Sequence, residues 1–300
     1  MIALLDALLG QTPAADVSGP AQINLVQAIV LGIVQGLTEF LPISSTAHLK
    51  VVPIALGWGD PGVAYSAVIQ LGSIVAVLWY FWQDLTTITF GAADAVVGRD
   101  YNSQEFRIGL GIVLGTIPIV FFGLLIKALV PDFDKSPVRS LGAIAIASIV
   151  MSLLLAIAEK IGKRNRTYEK LTVPDGILMG LAQAIALIPG CSRSGSTLTA
   201  GLFMGLERTA AARFSFLLGI PAITLAGLVE LKGALGEGIG DAGVVALIVG
   251  TISAFLFSYL SIAWLMKFLQ TQNTWVFVWY RLAFGVAILT ALAGGAVNNI

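Results

Sequence analysis

Long apolar runs dominate the chain, and they restrict its possible folds more than any other sequence feature. About six of these runs approach the roughly 20 residues that an α-helix needs to cross a bilayer. Only 11% of the 300 residues are charged and the mean hydropathy is +0.91, whereas a soluble domain has about 25% charged residues. The sequence therefore predicts an all-α polytopic membrane protein. The six runs lie near residues 65–82, 108–130, 139–158, 212–231, 242–266 and 276–295.

Charge and cysteine content argue against several classes of protein. The formal net charge is zero, so the chain has no excess of basic residues with which to bind nucleic acid. Cys191 is the only cysteine, which excludes an internal disulfide and a cysteine metal cluster. Residues 1–20 form an N-terminal extension without positive charge before its apolar run, so we expect it not to be a signal peptide and assign it no role.

Two further apolar regions contain polar and helix-breaking residues near their centres. Residues 22–57 carry Glu39 and His48 around a proline, and residues 175–206 carry Arg193 behind a Pro-Gly pair. Proline and glycine interrupt helices, and interrupted backbone at membrane depth is tolerated only where protein or a watery cavity surrounds it. We therefore expect both regions to be re-entrant helical hairpins with polar turns.

The two interrupted regions resemble each other. The segments GIVQGLTEFLPISST and GLAQAIALIPGCSRS each place a glutamine three residues after a glycine, then a proline and a serine cluster. Each region precedes three apolar runs, and three crossings are an odd number, so the second half would be inverted relative to the first. We predict an inverted-topology repeat, with residues 21–158 and 171–300 as its halves and a basic loop at residues 159–170 between them.

The basic loop sets the predicted orientation. Residues 159–170 hold the densest cluster of lysine and arginine in the chain, and the positive-inside bias places such a cluster in the cytoplasm. Counting crossings puts residues 83–107, predicted as a loop, on the same side and both termini outside. The two hairpins would then enter from opposite sides, so that their turns meet near the middle of the membrane.

The polar residues of the two hairpins form a set suited to phosphate chemistry. Arg193 has a planar fork of donors that fits phosphate oxygens, and hydroxyls with backbone N–H groups at a helix start form an anion cradle. His48 is the only histidine and can act as nucleophile or general acid/base. Glu39 can orient it or hold a divalent cation. These parts indicate phosphoryl transfer or hydrolysis. The flanking hydroxyl residues are Ser44, Ser45, Thr46, Ser192, Ser194 and Thr197.

The same residues also have purely structural interpretations. His48 could bond a carbonyl at a helix end, Glu39 could pair with Lys50, and Arg193 could clamp hairpin carbonyls. The functional interpretation is favoured because these groups fall on matching parts of the repeat. Three other polar groups are predicted to serve packing or interfaces rather than catalysis: Gln70, Tyr280 and Arg281.

At this point the motifs carry a family resemblance. QGLTEFLPISSTAH and PGCSRSGSTLTAGLFMGLER resemble the two signature regions of the undecaprenyl-diphosphate phosphatase, or bacitracin-resistance, family, and VIQLGSIVAV, FSFLLGIPA and WYRLAFG are similar to further family segments. The resemblance covers nearly the whole chain from about residue 22. It implies six spans and two re-entrant hairpin pairs in a bacterial plasma membrane, with a homodimer left open. It also implies hydrolysis of undecaprenyl diphosphate to the monophosphate, which recycles the carrier lipid for peptidoglycan synthesis and confers bacitracin resistance.

The resemblance further implies roles for individual residues. Glu39, Ser45 and His48 match functional positions of the family's first motif, and Arg193 matches the arginine of the second. Gln35 stands where the family motif begins with an acidic residue. The resemblance implies that Glu39, together with Gln35, would hold a loosely bound Mg²⁺ or Ca²⁺. The nucleophile stays open between His48, Ser45 and water. The predicted substrate-binding residues are Gln35, Ser44, Thr46, Ser192, Ser194 and Thr197.

Two other functions compete with a phosphatase of this kind. An acid-phosphatase-type lipid phosphatase commonly uses two histidines, and this chain has one. A transporter or flippase of a phosphorylated prenyl lipid would suit an inverted repeat with broken helices equally well. Phosphate release from protein purified in detergent separates enzyme from transporter, because detergent leaves no compartments.

Overall fold

The computed structural model describes residues 23–58, 61–130, 133, 136–237 and 241–299. The predicted N-terminal extension, residues 1–20, lies outside the described residues. Within them the chain forms helices and turns without a β-sheet, and an isolated bridge joins Arg166 to Leu206. The all-α prediction is confirmed.

Eleven α-helices build the described part of the chain. They are α1 (Leu25–Phe40), α2 (Ser45–Ala55), α3 (Val63–Tyr80), α4 (Trp82–Gly98), α5 (Gln104–Leu129), α6 (Leu141–Ile161), α7 (Val173–Ala184), α8 (Arg193–Phe203), α9 (Arg208–Glu237), α10 (Asp241–Thr271) and α11 (Trp275–Ala293). Short 3₁₀ turns occur at Pro137–Arg139, Tyr168–Lys170 and Ile185–Leu187. Four helices, α1, α2, α7 and α8, are short, and they belong to the two interrupted regions.

The long helices confirm a multi-pass membrane protein. By length and composition, α5, α6, α10, α11 and most of α9 can each cross a bilayer. A sixth span results if α3 and α4, which are bent by 66° at a break between them, count as one. The five single spans coincide with five of the predicted apolar runs, and α3 coincides with the sixth, near residues 65–82.

Residues 83–107 are not the loop that the sequence predicted. Most of this stretch forms α4, which packs along α5. The Arg213 guanidinium on α9 forms an ion pair with Asp84 in the first turn of α4, and Arg99, with a φ of 58°, ends the helix in the left-handed region. The loop prediction was wrong because polar residues lower the hydropathy of a segment without breaking its helix.

Each interrupted region forms two short helices joined by a turn that contains proline. In the first region the turn at residues 41–44 separates α1 from α2. In the second, α7 continues as the 3₁₀ turn Ile185–Leu187 before a turn at residues 188–192 leads into α8. Two short helices joined by a turn agree with the hairpin shape predicted for each region. Entry into the membrane from opposite sides and the inverted repeat stay predictions.

Glycine-lined contacts hold each interrupted region against a long helix of the other half. A Cβ added to Gly36 of α1 would lie 2.8 Å from the Ala254 carbonyl oxygen of α10. A Cβ added to Gly180 of α7 would lie 2.0 Å from the Gly115 carbonyl oxygen of α5. Such close backbone approach is how membrane helices associate through small residues. The two turns are therefore held by helices from both halves of the chain.

We expect Gly115→Ala to destabilise the protein, because its new methyl group would lie 2.3 Å from the Gly176 carbonyl oxygen. Overpacking of this kind costs about 1–3 kcal/mol, which lowers the thermal unfolding midpoint in detergent by several degrees. Gly123→Ala on the same helix is the matched control, since its methyl group would meet only a Leu187 side-chain carbon at 3.8 Å. Equal midpoints for the two variants would contradict this packing.

The predicted basic loop is anchored by a buried carboxylate at its start. Glu159 forms ion pairs with Arg164 at 2.7 Å and with Arg208, and it accepts a hydrogen bond from the Thr274 hydroxyl at 2.8 Å. These contacts join α6, α9 and the start of α11. The cytoplasmic location of this loop stays a prediction.

Candidate active site

Two serines with an unusual backbone conformation start the helices that follow the turns. Ser44 has a φ of 76° and Ser192 a φ of 69°, a left-handed region that residues other than glycine adopt uncommonly. Each immediately precedes the first helical residue, Ser45 of α2 and Arg193 of α8. Such strained positions cluster at functional sites, and here they place the Ser45 hydroxyl and the Arg193 guanidinium.

Glu39 joins the two interrupted regions. Its Oε2 accepts a hydrogen bond from the Ser45 hydroxyl at 2.7 Å and another from Gln35 Nε2 at 3.1 Å. Its Oε1 lies 3.3 Å from Arg193 Nη2. The side chain is buried, with 8% of the residue exposed. A hydroxyl bonded to a carboxylate is the arrangement of a nucleophile beside its general base.

Arg193 has two further donors that bond nothing within the described residues. Its Nε and Nη1 are buried and have no hydrogen-bond partner within the described residues, a costly state for a charged group. The guanidinium lies against the bare Cα of Gly219 on α9 and 5.9 Å from the centre of the Phe40 ring. These free N–H groups suit the oxygens of a phosphate.

The first turns of α2 and α8 supply backbone donors close by. The His48 amide bonds the Ser44 carbonyl, and the Ser196 amide bonds the Ser192 carbonyl, as the first intrahelical bond of each helix. The amides before them have no carbonyl acceptor within the helix, although the Gly195 amide donates to the Ser192 hydroxyl at 3.1 Å. These amides carry the positive end of the helix dipole. Two helix N-termini therefore add to the anion-binding character of the site.

A cavity lies where these groups meet. It encloses about 160 Å³, several times the roughly 30 Å³ that one water occupies in the liquid, so it admits a group of several heavy atoms. Its polar lining consists of Glu39, Ser44, Ser45, Thr46, Gln70, Ser192 and Arg193. The rest of its lining consists of Ile119, Ala186, Gly190, Ala222, Ile223 and Ala226. A polar end beside an apolar wall fits a phosphorylated lipid.

His48 lies outside this cavity lining and in a different environment. Its Nδ1 is 2.7 Å from the Ser44 carbonyl oxygen and its Nε2 is 2.7 Å from the Tyr280 hydroxyl. The ring stacks on Phe284 of α11 with a centroid distance of 4.3 Å. The imidazole therefore does not line the cavity that Glu39 and Arg193 share, because α11 offers it a stacking surface and a hydroxyl partner. The catalytic role of His48 stays a prediction.

Ser194 and Thr197 also bind the protein rather than line the cavity. The Ser194 hydroxyl donates to the Leu41 carbonyl at 3.0 Å and so ties the second region to the first. The Thr197 hydroxyl donates to the Arg193 carbonyl at 2.9 Å and pairs with the Ser215 hydroxyl. Both residues support the positions of the two turns, and direct substrate contact by either stays a prediction.

The purely structural interpretations of Glu39, His48 and Arg193 have different outcomes. Glu39 pairs with Arg193, while the Lys50 ammonium group donates to the Arg139 carbonyl at 2.8 Å. His48 does bond a carbonyl at a helix start. Carbonyl clamping, considered for Arg193, is performed by Arg281, which the sequence had indicated as a packing group.

Comparison with known proteins identifies the family. The model of the family described as bacitracin resistance protein BacA matches residues 28–287. The chain belongs to this family. Three similar proteins each carry the name undecaprenyl-diphosphatase. That of Trichormus variabilis is 69% identical over 96% of this chain and 90% of its own length. That of Synechocystis sp. is 70% identical over 93% and 86%, and that of Gloeobacter violaceus is 57% identical over 93% and 96%.

The polar groups around Glu39 in this BacA family member do not fit as ligands of a divalent cation. Both carboxylate oxygens already accept hydrogen bonds, from Gln35, Ser45 and Arg193. Mg²⁺ and Ca²⁺ need several oxygen ligands, and no group of three His, Cys, Asp or Glu residues that could hold a metal ion occurs among the described residues. The amide of Gln35 presents its NH₂ group to the carboxylate, which acts as a donor and not as a ligand. The predicted Mg²⁺ or Ca²⁺ stays a prediction that this geometry does not favour.

We expect Gln35→Glu to lower the rate of phosphate release about ten-fold or more when a chelator is present. The new carboxylate would replace the Gln35 donor of Glu39 by a like charge, and the repulsion turns the Glu39 carboxylate away from the Ser45 hydroxyl. Added Mg²⁺ or Ca²⁺ should restore part of the activity by bridging the pair. Gln35→Ala is the control that removes the amide without adding charge, and equal rates for Gln35→Glu and the unaltered protein in chelator would contradict this interpretation.

Sequence reasoning undervalued three residues of this family member. Gln70 lines the cavity from α3. An isolated amide in an apolar span was a sequence signal that could have indicated this. Gly219 seats Arg193, and Arg281 is buried with 1% of its surface exposed. Arg281 carried a usable signal, because an arginine inside an apolar span is costly unless something binds it.

Proposed function

We propose that this protein is an integral membrane phosphatase that hydrolyses undecaprenyl diphosphate to undecaprenyl phosphate and inorganic phosphate. The observation that carries the proposal is the hydrogen bond from Ser45 to Glu39, placed beside the unpaired donors of Arg193. The name of the three relatives supports the same substrate. The apolar cavity wall on α5 and α9 suits a substrate whose tail is a hydrocarbon chain.

Substrate binding uses the charges and dipoles of the cavity. The diphosphate lies at the polar end, where Arg193 Nε and Nη1 and the first-turn amides of α2 and α8 donate to its oxygens. The prenyl chain leaves along the apolar wall. These donors are fixed before the substrate arrives, so they stabilise the charge that develops on the transferring phosphoryl group without reorganisation.

The chemical steps follow from the Ser45–Glu39 contact. The Ser45 oxygen attacks the terminal phosphorus and its proton passes to Glu39, while the bond from phosphorus to the bridging oxygen breaks. Undecaprenyl phosphate leaves and takes up the proton. Water then attacks the phosphoserine with Glu39 again as base, which releases phosphate and regenerates the hydroxyl. Arg193 pairs with the other Glu39 oxygen and so holds the carboxylate beside the Ser45 hydroxyl.

The cellular role proposed here is recycling of the carrier lipid for peptidoglycan synthesis, with bacitracin resistance as a consequence. The protein would reside in the bacterial plasma membrane with residues 159–170 in the cytoplasm and both termini outside. Such a site needs groups from both interrupted regions of one chain, so we propose that it does not require the homodimer that the sequence left open.

The decisive experiment measures inorganic phosphate released from undecaprenyl diphosphate by protein purified in detergent. We expect multiple turnover with equal formation of undecaprenyl phosphate. The second candidate, a transporter or flippase of a phosphorylated prenyl lipid, is favoured by helices interrupted at a shared polar cavity. A transporter would release no phosphate under these conditions, and that result would reject the phosphatase.

A further inference from the structure

Arg281 of α11 is the most buried charged residue that the proposed chemistry does not use. Only 1% of its surface is exposed, and within the described part of the chain it has no carboxylate partner. Its donors instead bind backbone carbonyls. A charge at membrane depth is costly and is retained where it has a task.

The carbonyls that Arg281 binds belong to both turns. Nη1 donates to the Pro42 carbonyl at 3.0 Å in the first turn. Nη2 donates to the Gly190 carbonyl at 2.7 Å and the Cys191 carbonyl at 3.1 Å in the second. Nε donates to the Ser148 carbonyl of α6 at 3.3 Å. One guanidinium thus binds two turns that lie about 150 residues apart in the chain.

The carbonyls that Arg281 binds belong to residues that lie two or three positions before the reacting groups in the chain. Pro42 precedes Ser45 by three residues, and Cys191 precedes Arg193 by two. Both turns are broken backbone whose carbonyls need donors at membrane depth. The planar fork of arginine presents separate nitrogens in fixed directions, which a lysine ammonium cannot do. The distance between the two turns is therefore set by the geometry of a single side chain.

We propose that Arg281 is a positioning residue that fixes the spacing between the Ser45 hydroxyl and the Arg193 guanidinium. This inference rests on the proposed phosphatase function. It predicts that Arg281 acts on the chemical step more than on substrate binding, because the lipid tail and the Arg193 donors remain when the spacing relaxes.

Arg281→Lys tests this role, because it keeps a buried cation but loses the fork. We expect kcat to fall about 100-fold, the effect of a misplacement near 1 Å. KM should stay close to that of the unaltered protein, while the thermal unfolding midpoint should fall, because buried carbonyls of the turns lose their donors. Cys191, the only cysteine, reports on the clamp directly, since Arg281 binds its carbonyl. Its buried thiol should react faster with a methanethiosulfonate reagent in Arg281→Lys.

Arg164→Lys is the matched control, because Arg164 binds Glu159 at the basic loop. It should keep full activity and a protected Cys191. Should Arg281→Lys fail to fold, Gly195→Ala also displaces the clamp, since its methyl group would lie 2.8 Å from Arg281 Nη1 and 3.1 Å from the Ser192 side chain. Ser192→Ala then serves as its control, because it removes the Ser192 hydroxyl from the second contact and leaves Arg281 in place. An unchanged kcat, an unchanged Cys191 reactivity, or loss of folding in both variants overturns the proposal. Failure of the unaltered protein to release phosphate would instead reject the phosphatase, while Cys191 reactivity would still test the clamp.

Discussion

Ser45→Ala should abolish phosphate release, with a loss on the order of 10⁴-fold or more in kcat, as expected when a catalytic nucleophile is removed. Ser45 Oγ is the hydroxyl bonded to Glu39 at 2.7 Å, and alanine leaves the carboxylate nothing to activate but water. Substrate binding should survive, because the unpaired Arg193 donors remain. The measurement is steady-state phosphate release together with binding of labelled undecaprenyl diphosphate.

Two further variants distinguish the nucleophile from its neighbours. Thr46→Ala changes the next hydroxyl in the cavity lining and should lower kcat only modestly. His48→Gln keeps a polar group that can reach Tyr280 but cannot form a phosphohistidine, so we expect it to retain a substantial fraction of the activity. A phosphohistidine trapped from the unaltered protein, with His48→Gln as inactive as Ser45→Ala, would transfer the nucleophilic role to His48.

The spans and the two turns were predictable because each follows from local properties of the chain. Apolar runs near the length of a bilayer crossing became helices, and proline beside polar residues became turns. Helix α4 was missed because hydropathy alone detects spans and overlooks helices with mixed polarity. Its position also depends on the ion pair between Arg213 and Asp84, which are far apart in the sequence.

The composition of the site was predictable only in part. Glu39 and Arg193 were expected to approach each other, because both lie at interrupted positions of matching segments, and the structure brings them within 3.3 Å. The direction of His48 could not be predicted, since it depends on Tyr280 and Phe284 more than 230 residues away. Arg281 was underestimated for the same reason, because its partners lie in three distant segments.

Gly219 has no side chain, yet it determines the position of the Arg193 guanidinium and so affects the proposed reaction. A Cβ built on Gly219 would lie 1.6 Å from Arg193 Nη1 and 2.6 Å from Cζ. No bond rotation within α9 can relieve such an overlap, so the guanidinium has to leave its position. The Arg193 donors and the ion pair with Glu39 would then move together, which separates the phosphate site from the Ser45 hydroxyl.

We therefore expect Gly219→Ala to lower kcat/KM by about 100-fold or more, approaching the 10³–10⁵-fold that removal of a phosphate-stabilising arginine costs. Alanine favours a helix interior by about 1 kcal/mol over glycine, so loss of folding is not the expected cause. Gly227→Ala on the same helix is the control, since its methyl group would meet only flexible side-chain ends of Ile74 and Leu71. Because both changes act through one guanidinium, Arg193→Ala combined with Gly219→Ala should be no worse than Arg193→Ala alone. Additive losses of kcat/KM in the double variant would show that Gly219 acts on something other than the position of Arg193.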